Sequence, residues 1–585
     1  MKQIQFIFRD DKTLYQEMEK IRAWYDENLF YGMLIQIYTE IPDKNRIEHV
    51  LRTVEDFMPE AAYLGCSSNG NIVNGDFSGN SFAVICTCFE FPTTKVELLQ
   101  YELTADTQAR AAGQLAEEIE KRDWVKGVML LTTIRNMSMT VLCEELSKVK
   151  EGVHIFGGGA FSENLDDNAA CVFSGVKGFQ EHGIVFALLG GPDLYIDTSF
   201  VSGWKPLGSF LNVTSADGHY LKELNNRPAY DTYYKYLHIK NDESFFHNTL
   251  EFPFLYRYNG IDIMRAPIAS NPDGSLTMTS DMNQDVKARL AYGDPWTILE
   301  STREEGIRLS DFVPECIFVF SCAARRTFWG NSDVGKETAV YQKIAPTSGF
   351  YTSGEFLRTG GYVNQHNVTQ ILAALREGIP DKSSKKIIPR PDHSYVGKVS
   401  MITRLATFIK ATTGELEEAN RKLSTMAITD ALTGLLNRGE IQRRITCEID
   451  EKKSENVFLI MLDLDDFKKV NDTYGHKEGD NVLIRVSGML KETLVDMGSG
   501  CCAGRWGGEE FMVLLPGCKK DRVLGHAERI RRIMDGIQFE KAGRVTVSVG
   551  VTQAHKDDTA DSTCIRVDKA LYEAKTSGKN QVQYL

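Results

Sequence analysis

Between residues 402 and 426 apolar or small side chains recur at alternating intervals of three and four: Ile402, Leu405, Ile409, Thr412, Leu416, Ala419, Leu423 and Met426. That repeat keeps one seam on one face of a slightly underwound helix, and Ile or Leu at every first position favours two parallel strands in a coiled coil. Thr412 and Gly414 weaken the seam, and a solitary amphipathic helix lying on a neighbouring domain has a similar pattern. In either form the segment splits the 585-residue chain into a long N-terminal block and a shorter C-terminal one. A chain of this length is expected to hold about three or four globular units.

Composition bounds what those units do. With 42% hydrophobic and 25% charged residues the blocks can bury real cores. The 80 acidic against 67 basic residues leave a net charge of −13, which argues against wrapping DNA. The longest apolar runs fall far short of the roughly 20 residues that cross a bilayer, and the N-terminus lacks a signal-peptide core of about 7–15 residues. The expectation is a cytoplasmic protein that contacts neither membrane nor DNA. Its 12 cysteines lack the paired CxxC spacing of a zinc site and read as free thiols.

Ahead of the heptads, β-rich runs at 127–134, 153–156 and 183–189 alternate with helical stretches such as 107–121, an α/β pattern. A second β-rich block runs from about Glu251 to Gly354, with a helix expected at 370–376. No repeat of fixed period is evident. After a charged, Pro-broken stretch at 382–393 and the heptad helix, the chain from Thr429 alternates strand and helix. That alternation implies a central sheet flanked by helices.

The chemistry gathers in this last block. The apolar run 457–462 leads into Asp463, Asp465 and Asp466, and Glu509 and Glu510 follow the pair Gly507-Gly508. Two glycines between strand-like flanks predict a tight hairpin with both glycines at positive φ and Glu509 at its shoulder. Beside the Asp463 strand, carboxylates about 4 Å apart would repel by about 4 kcal/mol at an effective dielectric of 20. Such a cluster calls for cations, and hard oxygen ligands suit Mg²⁺ or Mn²⁺. Solvated turn acids are the simpler alternative.

GGEEF (507–511), together with DALTGLLNR (430–438), DLDDFKKVNDTYGHKEGD (463–480), SVGVT (548–552) and ALYEAKTSGKN (570–580), resembles the GGDEF-family diguanylate cyclases in motif order. The resemblance implies a nucleotidyl-cyclase, palm-like fold and the condensation of two GTP into cyclic di-GMP and two pyrophosphates. It implies Asp463, Glu509 and the Leu464 carbonyl as metal ligands, with Glu510 beside them as a catalytic helper. Lys468, Lys575 and Lys579 fall where the family holds phosphates, although many relatives carry Arg at the last position. Asn471 and Asp480 fall on the guanine-reading pair. Guanine has N1–H and N2–H₂ donors for a carboxylate and adenine does not, so Asp480 favours GTP over ATP. The four-residue spacing of Lys575 and Lys579 at a helix end would let both ammonium groups meet one triphosphate. The family's RxxD product-binding motif is missing: its positions are Gly498 and Cys501, which implies weak or absent product inhibition there.

Upstream, GCSSNG (65–70), FGGGAFSEN (156–164), PLG followed by VTSADG (206–218), SCAARRTFWG (321–330) and TSGFYTSGEF (347–356) resemble FIST domains, regarded as sensors of small ligands. Cys66, Ser67 and Ser68 in a Gly-flanked turn, with Arg325 and Glu355, offer groups for the carboxylate and ammonium of an amino acid. Gly157 to Gly159 read equally as a tight turn and Arg325 as half of an internal ion pair. The expected layout is α/β and multidomain: 1–230 and 231–385 as two sensory domains, 386–428 as the coiled-coil linker, 429–585 as the cyclase. It describes a homodimer joined through 402–426 whose small ligand controls a GTP-condensing enzyme. The competing readings are a non-catalytic relay that binds GTP or a partner protein, and a cyclase of altered base choice.

Overall fold

In the computed structural model the described residues are 1–134, 137–161, 170–380, 386, 401–451, 456–495 and 500–585. They form two compact units, Met1–Thr413 and Gly414–Leu585. The boundary falls inside the helix that carries the heptads.

The first unit is built from one module used three times. Module one runs β1 (Lys2–Phe8), α1 (Asp11–Glu27), β2 (Gly32–Thr39), α2 (Lys44–Phe57), β3 (Ala62–Ser67), a small hairpin β4 (Asn71–Val73) and β5 (Asp76–Ser78), then β6 (Phe82–Phe89). Module two repeats it as β7 (Lys95–Glu102), α3 (Gln108–Glu120), β8 (Val125–Thr132), α4 (Thr140–Ser147), β9 (His154–Gly159), hairpin β10 (Val172–Ser174) and β11 (Gly178–Gln180), and β12 (Gly183–Gly190). Module three opens with β13 (Leu194–Val201) and is then interrupted by an inserted antiparallel sheet. That insert holds β14 (Lys205–Asp217), β15 (Tyr220–Leu224), β16 (Arg227–Pro228), helices α5 (Tyr230–Leu237) and α6 (Phe245–Leu250), β17 (Phe254–Tyr258), β18 (Ile261–Arg265), β19 (Pro267–Ser270), β20 (Leu276–Met278) and β21 (Lys287–Tyr292). The module resumes with α7 (Pro295–Phe312), β22 (Cys316–Cys322), α8 (Ala323–Trp329), α9 (Gly335–Gln342), β23 (Thr347–Thr352), hairpin β24 (Glu355–Thr359) and β25 (Tyr362–His366), and β26 (Gln370–Glu377).

The three sheets have equivalent orders, β1-β6-β2-β3, β7-β12-β8-β9 and β13-β26-β22-β23, each with one parallel pair between its last two strands. Each is completed by a hairpin lent from another module: β10–β11 on the first sheet, β24–β25 on the second, β4–β5 on the third. The exchange closes a ring. Equivalent glycines mark it, because Gly65, Gly157 and Gly349 stand opposite Ile37, Leu130 and Val319 in those parallel pairs. A Cβ there would lie 2.0, 1.9 and 1.8 Å from the three opposing carbonyl oxygens. The inner faces of all three sheets meet in one core that includes Leu34, Tyr38, Met129, Val185, Phe318, Phe320 and Ile371. Helices cover the outer faces, as α1 does with Leu14, Met18 and Ile21 on one stripe and Asp10 capping Thr13 N–H.

Two expectations are corrected here. The unit does contain a threefold repeat, hidden by the insert. The stretch 370–376 is not a helix: β26 is a fully buried central strand, whose Leu and Ala favour helix locally but whose two covered faces favour a strand. The expected division at 230/231 falls inside the inserted sheet, and the third sheet joins β4, β5 and β13 to β22, β23 and β26.

Helix α10 spans Met401–Ile428, so the heptad segment is helical. Of the seam, Leu405, Ile409 and Leu416 are 54, 41 and 61% exposed. The side chains of Ile402, Leu423 and Met426 lie outside the described residues, as do most of 382–393 and Gly498. In the second unit α11 (Arg438–Thr446) precedes a five-stranded sheet ordered β28-β29-β27-β32-β33. Its strands are β27 (Phe458–Leu464), β28 (Cys502–Gly507), β29 (Glu510–Leu515), β32 (Val547–Gln553) and β33 (Val582–Tyr584), and a short pair, β30 (Gln538–Phe539) and β31 (Gly543–Arg544), stands apart. Helices α12 (Phe467–Tyr474), α13 (His476–Val495), α14 (Lys520–Gly536) and α15 (Ala560–Thr576) complete this α/β unit.

Candidate active site

The central strand β27 is apolar until its last turn, where Asp463 is the first charge and is 6% exposed. Its antiparallel partner β29 sets Glu510 directly opposite Asp463. The turn between β28 and β29 is Gly508-Glu509, with Gly507 already paired to Glu510. Only Gly508 of the two glycines has positive φ, at +42°, so the expected turn is displaced by one residue and Glu509 occupies its corner. Arg505 holds that corner by donating to the Gly508 carbonyl at 2.8 and 2.9 Å. Asp430 pairs with the same guanidinium at 3.3 Å, so the DALTG segment braces the hairpin.

These placements crowd three carboxylates. Burial, and then the charge of Asp463, pushes the Glu510 carboxyl above its ordinary range. Burial does the same to Asp463, with Lys575 opposing it and Glu509 and Asp465 adding to it. Like charges directly opposite on paired strands are destabilising, so the cluster needs a cation. In the structure the Lys575 ammonium from α15 meets Asp463 Oδ2 at 2.7 Å. Lys579 meets Asp466 at 2.8 Å. Lys579 lies beyond the end of α15 with φ +64°, so it is the two aspartates, not a shared helical face, that bring the two ammonium groups to one strand end.

Asp465 acts on the cluster only through its charge, because its oxygens are committed elsewhere. It accepts from Thr546 Oγ1 at 2.7 Å, Ser548 Oγ at 2.6 Å and Asn580 N–H at 3.1 Å, which fastens the Lys579 loop to the sheet. The sequence groups it with its neighbours, and strand alternation does not separate it because residues two apart share a face; only its partners Thr546, Ser548 and Asn580 do. Asn471 and Asp480 sit on α12 and α13. A Cβ at Gly479 would lie 2.0 Å from Asn471 Oδ1, so the glycine leaves room for that side chain in its present rotamer. Lys468 is exposed on α12.

Among the described residues no three His, Cys, Asp or Glu side chains form a ready metal cage. The donors that the family resemblance implies for a hard divalent ion, Asp463, Glu509 and the Leu464 carbonyl, would be a partial set that substrate oxygens complete. The mutual repulsion of the acids, eased here by Lys575, is the observation that supports the fit.

The sensory expectations fare differently. Cys66 and Ser67 are buried, and Ser67 Oγ accepts from Cys171 N–H at 3.0 Å. Arg325 is wholly buried against Glu337, with Nη2 at 2.7 Å from Oε1 and Nε at 3.0 Å from Oε2, and Nη1 donates to the Ser202 and Val368 carbonyls. Glu355 accepts from Thr352 Oγ1 at 2.9 Å and Thr369 Oγ1 at 2.7 Å. Arg325, Glu355 and Ser67 are committed to other side chains and to backbone, which matches the internal ion pair of the two readings and not the open zwitterion clamp. All 12 cysteines are free thiols, and no helix among the described residues is long and apolar enough to cross a membrane.

Comparison with known proteins gives three matches in order: a FIST N domain at 33–227, a FIST C domain at 229–358 and a diguanylate cyclase GGDEF domain at 427–581. The chain is 36% identical over 177 residues to diguanylate cyclase DgcM of Escherichia coli K12, a match over 29% of this chain and 41% of that protein. It is 34% identical over 225 residues to the response regulator PleD of Caulobacter vibrioides, over 36% of this chain and 46% of that protein. The chain thus spans less than half the length of these curated relatives. A crystal structure of the coiled coil and GGDEF domain of DgcB from Caulobacter crescentus, in complex with c-di-GMP, shares 30% identity at a TM-score of 0.29, covering 32% of this chain and all of that one.

Proposed function

We propose that this chain, which carries FIST N, FIST C and GGDEF domains in that order, is a diguanylate cyclase that condenses two GTP into cyclic di-GMP and two pyrophosphates under the control of a small ligand in its FIST region. The observation that carries the reading is the convergence of Asp463, Glu509 and Glu510 at the end of β27, with Lys575 already paired to Asp463 at 2.7 Å.

Asp463, Glu509 and the Leu464 carbonyl would hold Mg²⁺ or Mn²⁺, which when bound supplies alignment of the attacking 3′-hydroxyl and charge neutralisation at the leaving pyrophosphate. Lys575 exchanges its aspartate for a phosphate oxygen, and Lys468 and Lys579 add positive charge along the triphosphate. Glu510, whose carboxyl is held above its usual range, accepts the 3′-hydroxyl proton. Asp480 accepts from guanine N1–H and N2–H₂, and Asn471 reads the same base beside it.

One such unit has one nucleotide site, and two bonds between two nucleotides require a second unit facing the first, which a twofold dimer provides. The exposed Leu405, Ile409 and Leu416 of α10 are the seam for that dimer. Pairing the helices raises the effective concentration of the half-sites, and a rotation of the pair aligns or separates them.

The test is incubation of the purified protein with Mg²⁺ and GTP, ATP or both, with products identified by chromatography and Glu509→Gln as the control. Cyclic di-GMP from GTP alone, reduced about 100-fold or more in the variant, is expected. Undiminished output from Glu509→Gln would overturn the metal assignment, and no guanosine dinucleotide under any condition would overturn the function.

A further inference from the structure

Arg325 and Arg265 are both buried in the first unit, and they differ in what faces them. Arg325 has the Glu337 carboxylate. Arg265, 6% exposed, has hydrogen bonds only to neutral oxygens. Its Nε donates to the Asp281 carbonyl at 2.9 Å, and its Nη1 to the Met264 carbonyl at 2.9 Å and to Asn367 Oδ1 at 3.2 Å. Among the described residues it forms no ion pair. A guanidinium taken out of water without a counter-ion is costly, and such groups are normally paired.

Arg265 does not face a dry core. It lines a cavity of about 570 Å³ enclosed by α4, the β17–β18 hairpin, the segment Asp281–Asn283 and the β24–β25 turn, within the range of roughly 300–1,000 Å³ usual for small-molecule sites. Asn364, 4% exposed, lines the same cavity. Its Oδ1 accepts from Asn259 Nδ2 at 3.1 Å, which fixes the amide orientation, and its Nδ2 has no partner. The carboxylate of Asp281 lines the same cavity and accepts from the hydroxyls of Ser138 and Thr140, and it forms no ion pair with Arg265. Among the described residues the cavity therefore presents a guanidinium without an ion pair and two amide nitrogens without partners, Asn364 Nδ2 and Gln365 Nε2, beside the charged side chains of Glu144, Lys148 and Asp281.

We propose that this cavity is a binding site for a small organic carboxylate, with the carboxylate on Arg265 and a second acceptor oxygen on Asn364. The site's role in regulation rests on the ligand-controlled reading above; its ability to bind does not.

Calorimetry on the full chain tests it with succinate, 2-oxoglutarate and glutamate, with succinamide as the neutral counterpart and inorganic phosphate as the other anion. At least one carboxylate is expected to bind and to raise the melting temperature, and succinamide and phosphate are not. Arg265→Met is expected to weaken that binding about 30-fold or more. Asn364→Asp is nearly isosteric, keeps the bond from Asn259 and places a negative charge in the cavity, so it is expected to abolish binding even where Arg265→Met fails to fold. Heat from none of the carboxylates, tighter binding of phosphate, or binding that survives Asn364→Asp would each overturn the proposal. Carboxylate binding that leaves GTP turnover unchanged would uphold the site and overturn only the regulatory reading.

Discussion

Glu355 sits wholly buried between two threonine hydroxyls, and burial pushes its carboxyl up from 4.5 to about 8. A raised acid binds its proton in the folded state while the unfolded chain has already lost it. Stability is therefore fully present below pH 4.5 and is lost as pH rises toward 8, by at most about 1.4 kcal/mol per pH unit. Glu355→Gln keeps the shape without the titration, so its stability relative to the parent should rise steadily across that window in urea melts. A constant difference from pH 5 to 8 would show that the carboxyl is ionised in the fold. The contrast with the cyclase residues shows what a sequence makes legible at this scale. Asp463, Glu509, Lys575 and Asp480 were assigned from motifs in family order, and the structure sets Asp463, Glu509 and Lys575 at one strand end. The sequence offers Arg325 and Glu355 together as groups for a zwitterion, or Arg325 as half of an ion pair with no partner named, and the structure supplies that partner as Glu337 on α9. Which carboxylate a guanidinium meets depends on sheet order, and no local spacing encodes it.

At the level of elements, the strands bounded by turns and the amphipathic helices were readable, because a single face repeats at a fixed period. β26 was not. With both faces buried it loses alternation, and QILAALRE then reads by composition as helix. The parallel pairs of the three modules were equally silent, since each depends on a glycine facing a carbonyl from a distant strand. Gly349→Ala would place a Cβ 1.8 Å from the Val319 oxygen, backbone against backbone, where no rotamer change relieves the clash. A loss of about 3 kcal/mol or more of unfolding free energy is expected from denaturant melts of the full chain. A loss under about 1 kcal/mol would mean that β22 and β23 separate easily, and that the equivalence of the three glycines has no energetic content.

The whole molecule joins a ring of three exchanged hairpins to a helix whose seam is open to solvent. The ring was illegible in the sequence because the insert at 205–292 breaks its period and the lent hairpins are only three residues per strand in two of the modules. The helix was legible because the heptads are local. Leu405, Ile409 and Leu416 on one exposed seam present apolar area that a monomer leaves in water and that the proposed dimer would cover. Two consequences follow for turnover. First, positions 498 and 501 hold Gly and Cys, neither of which matches the Arg and Asp of the family's product site. Added cyclic di-GMP is thus expected to leave the initial rate within about twofold, and strong inhibition would reveal a different feedback site. Second, a reaction needing two facing half-sites slows with the square of protein concentration once the dimer dissociates, so rate per mole of protein should fall on dilution. Ile409→Asp combined with Leu416→Asp puts charges into the seam while touching no nucleotide-binding residue. That variant should scatter light as a monomer, bind GTP as the parent does, and lose at least about 10-fold in specific activity at equal concentration. Parent-like turnover from a proven monomer would mean that α10 does not pair the half-sites.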